Sequence, residues 1–319
     1  MVDKLYVIGN GFDIHHGINS SYKCYMEWLK DKHKGVYVNL LKYYPQAEDD
    51  EWWGDFENNL GLPDIHDYLS DTADFYQPSE DDVEKMRAID DTDGEFDVHS
   101  ELGGTLNDVR NTFHGWILSL NHPRKEAMLI IDTDNSLFLN FNYTKTLEDI
   151  YGINESNILH IHGSINDDEF ILGHGEDKKS IADRLDPQEE WDGISDPSEF
   201  FGFHLHDSIT EKTIGAGIEE IFSLRKDVMH LISKNKEFWN KLKNVKHVYI
   251  FGISFSKVDE PYLIKITDSV LPTAKYVISY YSKNDLERIN NFIATHQITE
   301  SEFVKLVDLA VNRQLDLFN

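Results

Sequence analysis

Leu5-Tyr6-Val7-Ile8-Gly9-Asn10-Gly11-Phe12-Asp13 constrains this chain more than any other stretch. Four apolar, β-prone residues run into two glycines one residue apart, the pattern of a buried strand entering a tight turn where backbone approaches something closely. Ile14-His15-His16-Gly17-Ile18 and Ser20-Ser21 follow, then an amphipathic run from Tyr22 to Leu29. A strand, a glycine turn and a helix place main-chain N–H groups beside the turn, a geometry suited to phosphate. Ile14 stands where the dinucleotide fingerprint G-x-G-x-x-G wants its third glycine, so a dehydrogenase-type turn is not expected. The motif alone leaves open nucleotide binding and a plain strand-turn-helix start.

Charge narrows the function classes. The 319 residues carry 58 Asp and Glu against 30 Lys and Arg, a formal net charge of -28. Such a field repels polyphosphate and anionic membranes, so nucleic-acid binding is not expected without a localised basic face. A single cysteine, Cys24, forms no intramolecular disulfide and is expected to pack as a small hydrophobe. No run of about 18 apolar residues is present, and nothing resembles a signal peptide. A cytoplasmic location is the resulting expectation.

Strand-type runs recur along the chain. They predict core strands near 4–9, 136–142, 157–162, 247–253 and 275–281, with further strand character at Leu129-Ile130-Ile131. Helices are expected between and after them, including Phe113 to Leu120, Pro261 to Ser269 and Lys283 to Thr295, and Thr144 is a candidate cap for the run to Ile150. Continuous apolar strands alternating with helices indicate an α/β fold, a doubly wound, mostly parallel Rossmann-like sheet with helical insertions. The acidic insertions fall roughly at 46–124 and 166–240 within one domain spanning 1–319. From Gln46 to Glu101 there are twenty Asp and Glu against Lys85 and Arg87, with aromatics at near-helical spacing. Pro78 to Glu101 reads as a loop. Arg225 to Lys246 is locally basic and reads mainly as a solvated helix face, with contact to phosphate or a partner as the alternative.

Four of the strands end in polar or glycine-bearing turns: Gly9 to Asp13, Asn140 to Thr144, His160 to Ser164, and Gly252-Ile253-Ser254 leading to Asp259. In an open parallel sheet, ligands bind outside the carboxyl ends of the strands, at the point where strand order reverses. Each candidate also has a bland reading: His162 as a buried core histidine, Asn142 as a turn residue. His160 and His162, with His174 or Asp167, form a weaker metal reading, as does His204-x-His206, because no ligand-spacing motif supports either. Trp53 and Glu57 read as a packed indole with a buried polar partner.

The motifs together resemble a family. Ile8-Gly9-Asn10-Gly11-Phe12-Asp13-Ile14-x-x-Gly17 with Ser21-Tyr22, Trp53-Gly54-Asp55-Phe56-Glu57, Asn142-Tyr143-Thr144, Ile161-His162-Gly163 and Phe251 to Tyr262 stand in the order found in the abortive-infection AbiH family of bacterial anti-phage proteins. Ile253 replaces an expected histidine. More remotely, the same blocks are similar to sirtuin-like NAD-hydrolase domains of phage-defence proteins. That resemblance implies a sirtuin-like sheet, with Asn142 and His162 as catalytic residues. NAD would be substrate or ligand, and no true cofactor is implied.

The chemistry fits these residue types. Cleaving the nicotinamide–ribose bond passes through an oxocarbenium-like state, which requires an oriented ribose, a placed water and a base near neutral pH. The expected catalytic residues are Asn142, His162 and Asp13, the last stabilising positive charge on the sugar. The expected ligand-binding residues are Gly9, Asn10, Gly11, Phe12, Gly252, Ser254 and Asp259. Gly9 to Asp13 is bulkier and more acidic than the corresponding sirtuin loop. The alternatives are a nucleotide-sensing module without turnover, acting on another defence-system or phage protein or as a homo-oligomer, and more weakly a nuclease effector.

Overall fold

The computed structural model describes residues 2–77, 93–165, 167, 170–185 and 197–311, with 197–207 described by backbone alone. In chain order the first elements are β1 (Lys4–Ile8), α1 (Asn10–His15), α2 (Tyr22–Lys32), α3 (Lys34–Tyr43), α4 (Phe56–Asn59), α5 (His66–Phe75), α6 (Asp93–Val98) and α7 (Gly104–Leu118). There follow β2 (Ser136–Asn140), α8 (Thr146–Tyr151), β3 (Ile158–His160), α9 (Lys178–Leu185), α10 (Pro197–Ser223), α11 (Val228–Lys234) and α12 (Lys236–Lys241). The chain closes with β4 (His247–Phe251), α13 (Glu260–Ser269), β5 (Lys275–Ser279), α14 (Lys283–Thr295) and β6 (Ser301–Val304). Two compact units result: unit 1 holds residues 1–25, 114–172 and 227–319, and unit 2 holds 26–113 and 173–226.

Unit 1 contains the sheet. Its six strands lie in the order β3-β2-β1-β4-β5-β6, and every pairing is parallel. The fold is therefore the doubly wound α/β sheet expected, entirely rather than mostly parallel. Side-chain alternation explains why both faces are covered. Leu5, Val7, Leu137, Leu139, Val248 and Ile250 point into one core with residues of α11 to α14. Tyr6, Ile8, Phe138 and Phe251 point into the other, with Phe12 and Leu147. On that second face Tyr6 stacks on Phe138 at 5.1 Å and on Tyr249 at 4.5 Å. Each such buried large side chain stabilises the fold by roughly 1.5 to 3 kcal/mol relative to exposure.

Two local expectations are corrected. Leu129 forms only an isolated antiparallel bridge with Ala310, not a strand. Asp93 to Gly103 is helical rather than loop, as α6 and one π-helical stretch. Gly94 there faces the Thr213 hydroxyl so closely that a Cβ would lie 2.6 Å from it, so packing overrides local composition. Residues 78–92, also read as loop, lie outside the described residues. The strand β6 escapes sequence detection because it is an edge strand with mostly exposed side chains, lacking the apolar run of the inner strands.

Unit 2 is built on aromatics. Trp53 is buried and stacks on Phe56 at 5.1 Å, while its indole N–H donates to the Ala47 carbonyl at 3.0 Å. Phe56 in turn meets Phe113 at 6.4 Å. Glu57, one turn beyond Trp53, accepts from Lys226 Nζ at 2.7 Å, and Lys226 is 1% exposed. Lys226 is thus an interior cation and not part of a solvated basic face.

Candidate active site

Parallel order brings the carboxyl ends of β1, β2, β3 and β4 to one edge of unit 1, with the strand order reversing between β1 and β4. There two glycine turns press together. Gly9 N–H donates to the Phe251 carbonyl at 2.9 Å, and Gly11 N–H to the Gly252 carbonyl at 2.9 Å. A Cβ on Gly9 would lie 2.6 Å from the Gly252 carbonyl oxygen, and one on Gly11 2.8 Å from the Gly252 Cα. Gly252 has φ +73° and would bring a Cβ within 2.2 Å of the Phe12 nitrogen, so glycine alone fits. The two N–H groups that a phosphate cradle would use are engaged by β4.

The remaining residues of the first turn are equally anchored. Asn10 exchanges two hydrogen bonds with Ser20, accepting from its hydroxyl at 2.5 Å and donating to its carbonyl at 2.9 Å. The Phe12 ring is fully buried between His16 and Tyr151.

Asp13 is 1% exposed. It accepts from the hydroxyls of Thr144 at 2.5 Å and Thr146 at 2.8 Å. Burial raises its pKa to about 6, and the hydrogen bonds from Thr144, Thr146 and Asn142 and the charge of His160 oppose that rise. Thr144 therefore serves Asp13 rather than capping α8, whose N-cap residue is Lys145 without a side-chain bond.

Asn142 follows β2. Its amide Nδ2 donates to the Gly9 carbonyl at 3.0 Å and lies near enough to the Asp13 carboxylate to oppose the rise in its pKa. Both partners accept, so the amide orientation is determined: nitrogen toward β1, Oδ1 left as an acceptor. The Asn142 main-chain N–H is fixed by Asn140 Oδ1 at 3.0 Å. The Asn142 carbonyl lies 3.2 Å from His160 Nδ1, and His160 Nε2 lies 2.9 Å from Glu148 Oε1. Asn140, Thr146, Glu148 and His160 thus complete a polar network around Asn142 and Asp13, with Glu148 and His160 half-buried.

His162 lies just beyond β3 and is 3% exposed. Its ring meets Phe141 at 5.4 Å and Tyr262 at 5.6 Å, both edge-on, and Tyr143 at 6.5 Å. His160 and His162 diverge: the first faces Glu148, the second this aromatic wall. Among the described residues, no group of three or more His, Cys, Asp and Glu is arranged to hold a metal ion. His174 lies in unit 2, and the side chains of His204 and His206 lie outside the described residues.

After β4, Ile253 fills the place where histidine was expected, its Cδ1 so near Gly9 that a Cβ there would lie 2.5 Å away. Ser254 is exposed. Phe255 adopts φ +54°, a strained backbone for a bulky residue, with its ring 5.4 Å from Phe292. Asp259 Oδ2 accepts from the Ser256 hydroxyl at 3.2 Å. Sequence reasoning missed Thr146, Glu148 and Ser279. Thr146 and Glu148 carry no motif, and Ser279, whose hydroxyl accepts from Gly252 N–H at 2.8 Å, is visible only as a polar residue ending an apolar strand.

No helix among the described residues is long and apolar enough to cross a membrane. The family model described as bacteriophage abortive infection AbiH matches residues 5–280. Compared with curated proteins and with solved structures, the chain matches none.

Proposed function

Because the chain belongs to the bacteriophage abortive infection AbiH family, we propose that it acts in anti-phage defence as an NAD glycohydrolase, releasing nicotinamide and ADP-ribose. The observation that carries this reading is the pinned Asn142 amide at the end of β2, which retains one acceptor oxygen beside the switch point of a sheet ordered 3-2-1-4-5-6. That order is the one used by dinucleotide-binding folds.

In this mechanism Asn142 Oδ1 accepts from a ribose hydroxyl and holds the sugar. Water attacks the anomeric carbon as the bond to nicotinamide breaks. The leaving ring takes the bonding pair and becomes neutral, and the water proton passes to His162. Asp13, when ionised, lowers the energy of the positive sugar. The low dielectric around Asp13 and His162 strengthens both effects.

A second reading is favoured by a specific observation. Asp13 and His162 are 1% and 3% exposed, and Gly9 and Gly11 have engaged their N–H groups. A module that binds NAD or a related nucleotide without turnover, and signals to a partner, fits that closed arrangement.

The test is nicotinamide release by the purified chain, beside His162→Ala and Asn142→Ala proteins shown to be folded. Release lost in both variants supports the hydrolase. Calorimetric NAD binding without release supports the sensor, and neither binding nor release refutes the NAD reading for the isolated chain.

A further inference from the structure

The polar network around Asn142 has an outer layer on β2 and β3. The register of these strands sets Asn140 directly beside His160, and the Ile161 N–H donates to the Asn140 carbonyl at 3.0 Å. Their side chains stand next to each other at the carboxyl ends of the two strands. Asn140 Oδ1 accepts from the Asn142 main-chain N–H at 3.0 Å. That bond turns Asn140 Nδ2 toward His160 Nδ1 at 3.4 Å and the Thr144 carbonyl at 3.5 Å.

His160 Nδ1 therefore faces two partners of opposite kind. The Asn142 carbonyl, 3.2 Å away, can only accept, so that contact is a hydrogen bond only when Nδ1 carries a proton. Asn140 Nδ2 can only donate, so its contact is a bond only when Nδ1 presents a lone pair. The other ring nitrogen, Nε2, lies 2.9 Å from Glu148 Oε1. Glu148 Oε2 is buried and has no hydrogen-bond partner among the described residues, so this carboxylate depends on the Nε2–H. Glu148 thereby keeps a hydrogen on Nε2 in both charge states and leaves Nδ1 as the nitrogen that gains and loses the proton.

The charged groups facing the ring are Glu148 from α8, Asp13 from α1 and Glu155 from the turn before β3, the last paired with Lys145 at 2.7 Å. Burial raises the Asp13 pKa, and the hydrogen bonds from Thr144, Thr146 and Asn142, followed by the charge of His160, oppose that rise. One imidazole thus touches the main chain of Asn142 and acts on Asp13 through space.

We propose that His160, its tautomer locked by Glu148, is the positioning residue of Asn142. With a proton on Nδ1 it holds the Asn142 carbonyl; without one it takes the Asn140 amide and releases that carbonyl. This rests on the reading of Asn142 as the residue that holds the ribose, because anchorage at both its N–H and its carbonyl fixes where Oδ1 stands. His160 and Glu148 act through Asn142 and not on the substrate.

The test is nuclear magnetic resonance of the full chain carrying labelled histidine and asparagine, recorded from about pH 5 to 8. His160 Nε2 should stay protonated throughout while Nδ1 titrates. Over the same interval the Asn142 carbonyl carbon should move upfield, as a released carbonyl does, while the Asn140 Nδ2 protons move downfield. His160→Asn leaves a donor for the Asn142 carbonyl that does not titrate, so the exchange of partners should vanish there, whereas Asp13→Asn should retain it. Asn142 signals that stay flat as Nδ1 titrates, or a neutral ring with its hydrogen on Nδ1, overturn the proposal on the unsubstituted chain. A response that survives in His160→Asn, or is lost in Asp13→Asn, does so as well, because Asp13 would then drive it. Glu148→Ala should give a mixture of neutral ring tautomers, and a ring that keeps its hydrogen on Nε2 overturns the role of Glu148. The kcat for nicotinamide release should fall several-fold as Nδ1 loses its proton, and not over that interval in His160→Asn; release indifferent to that proton overturns the positioning role. Absence of any release counts against the hydrolase and leaves the resonance readouts to decide.

Discussion

Asp13→Asn isolates the energetics of the buried carboxylate. In the folded chain its pKa rises from 3.8 to about 6, chiefly through burial, so the folded state holds this proton more tightly than the unfolded state does. Stability therefore falls as pH rises through the window from about 4 to about 6 and is level above it, a total of about 3 kcal/mol. About 1 kcal/mol of that is lost by pH 4.5, leaving about 2 kcal/mol between pH 4.5 and 7.5. Asparagine keeps the size and one acceptor oxygen for one of the two threonine hydroxyls, which sit on different Asp13 oxygens, turns its NH2 toward the other, and does not titrate. Hydrogen exchange of the β1 and β2 amides, taken as wild type minus Asp13→Asn, cancels the other ionisable groups. The difference should decline by about 2 kcal/mol over that interval. A flat difference, or one that grows with pH, would refute the argument, because the hydroxyl and amide donors would then outweigh desolvation.

Three further outcomes are expected. Thr146→Val removes a donor at 2.8 Å from Asp13 and should destabilise unit 1 by about 1 to 3 kcal/mol at pH 7.5, and by less at pH 5, where Asp13 keeps its proton; urea titration at both pH values measures this. Gly252→Ala demands φ +73° and a Cβ 2.2 Å from a backbone nitrogen, so thermal denaturation should show a loss of more than about 2 kcal/mol, with Ser254→Ala nearly silent. Lys226→Met leaves Glu57 without its cation and should cost about 3 to 5 kcal/mol, much of it recovered in the Glu57→Gln, Lys226→Met double variant; a double-mutant cycle showing no recovery would contradict the pairing.

The sheet was legible because the inner strands are buried on both faces, and Leu5 to Ile8, Leu137 to Leu139 and Val248 to Phe251 accordingly carry unbroken apolar runs. β6 was not, since an exposed edge strand has no such run. At the strand ends the residue types were readable, but their allegiances were not. Gly9 and Gly11 are compatible from sequence with a ligand cradle, and only the arrival of Phe251 and Gly252 from far along the chain shows what their N–H groups bind. Thr144 has the chemistry of a cap, and the nearby Asp13 carboxylate takes its hydroxyl instead. Cys24 was expected to be buried, whereas it is half-exposed and receives the Ser21 hydroxyl at 3.1 Å.

The abutment of the turns after β1 and β4 has a kinetic consequence. Main-chain hydrogen bonds join them, and no side chain stands between Gly11 and Gly252 that a rotation could clear. A ligand arriving at this edge therefore meets a floor of paired main chain that rotation of a side chain cannot open, whereas the surrounding side chains change rotamer faster than loops move. Association at the strand ends should then follow a single exponential, with a rate that rises linearly with ligand concentration and does not saturate.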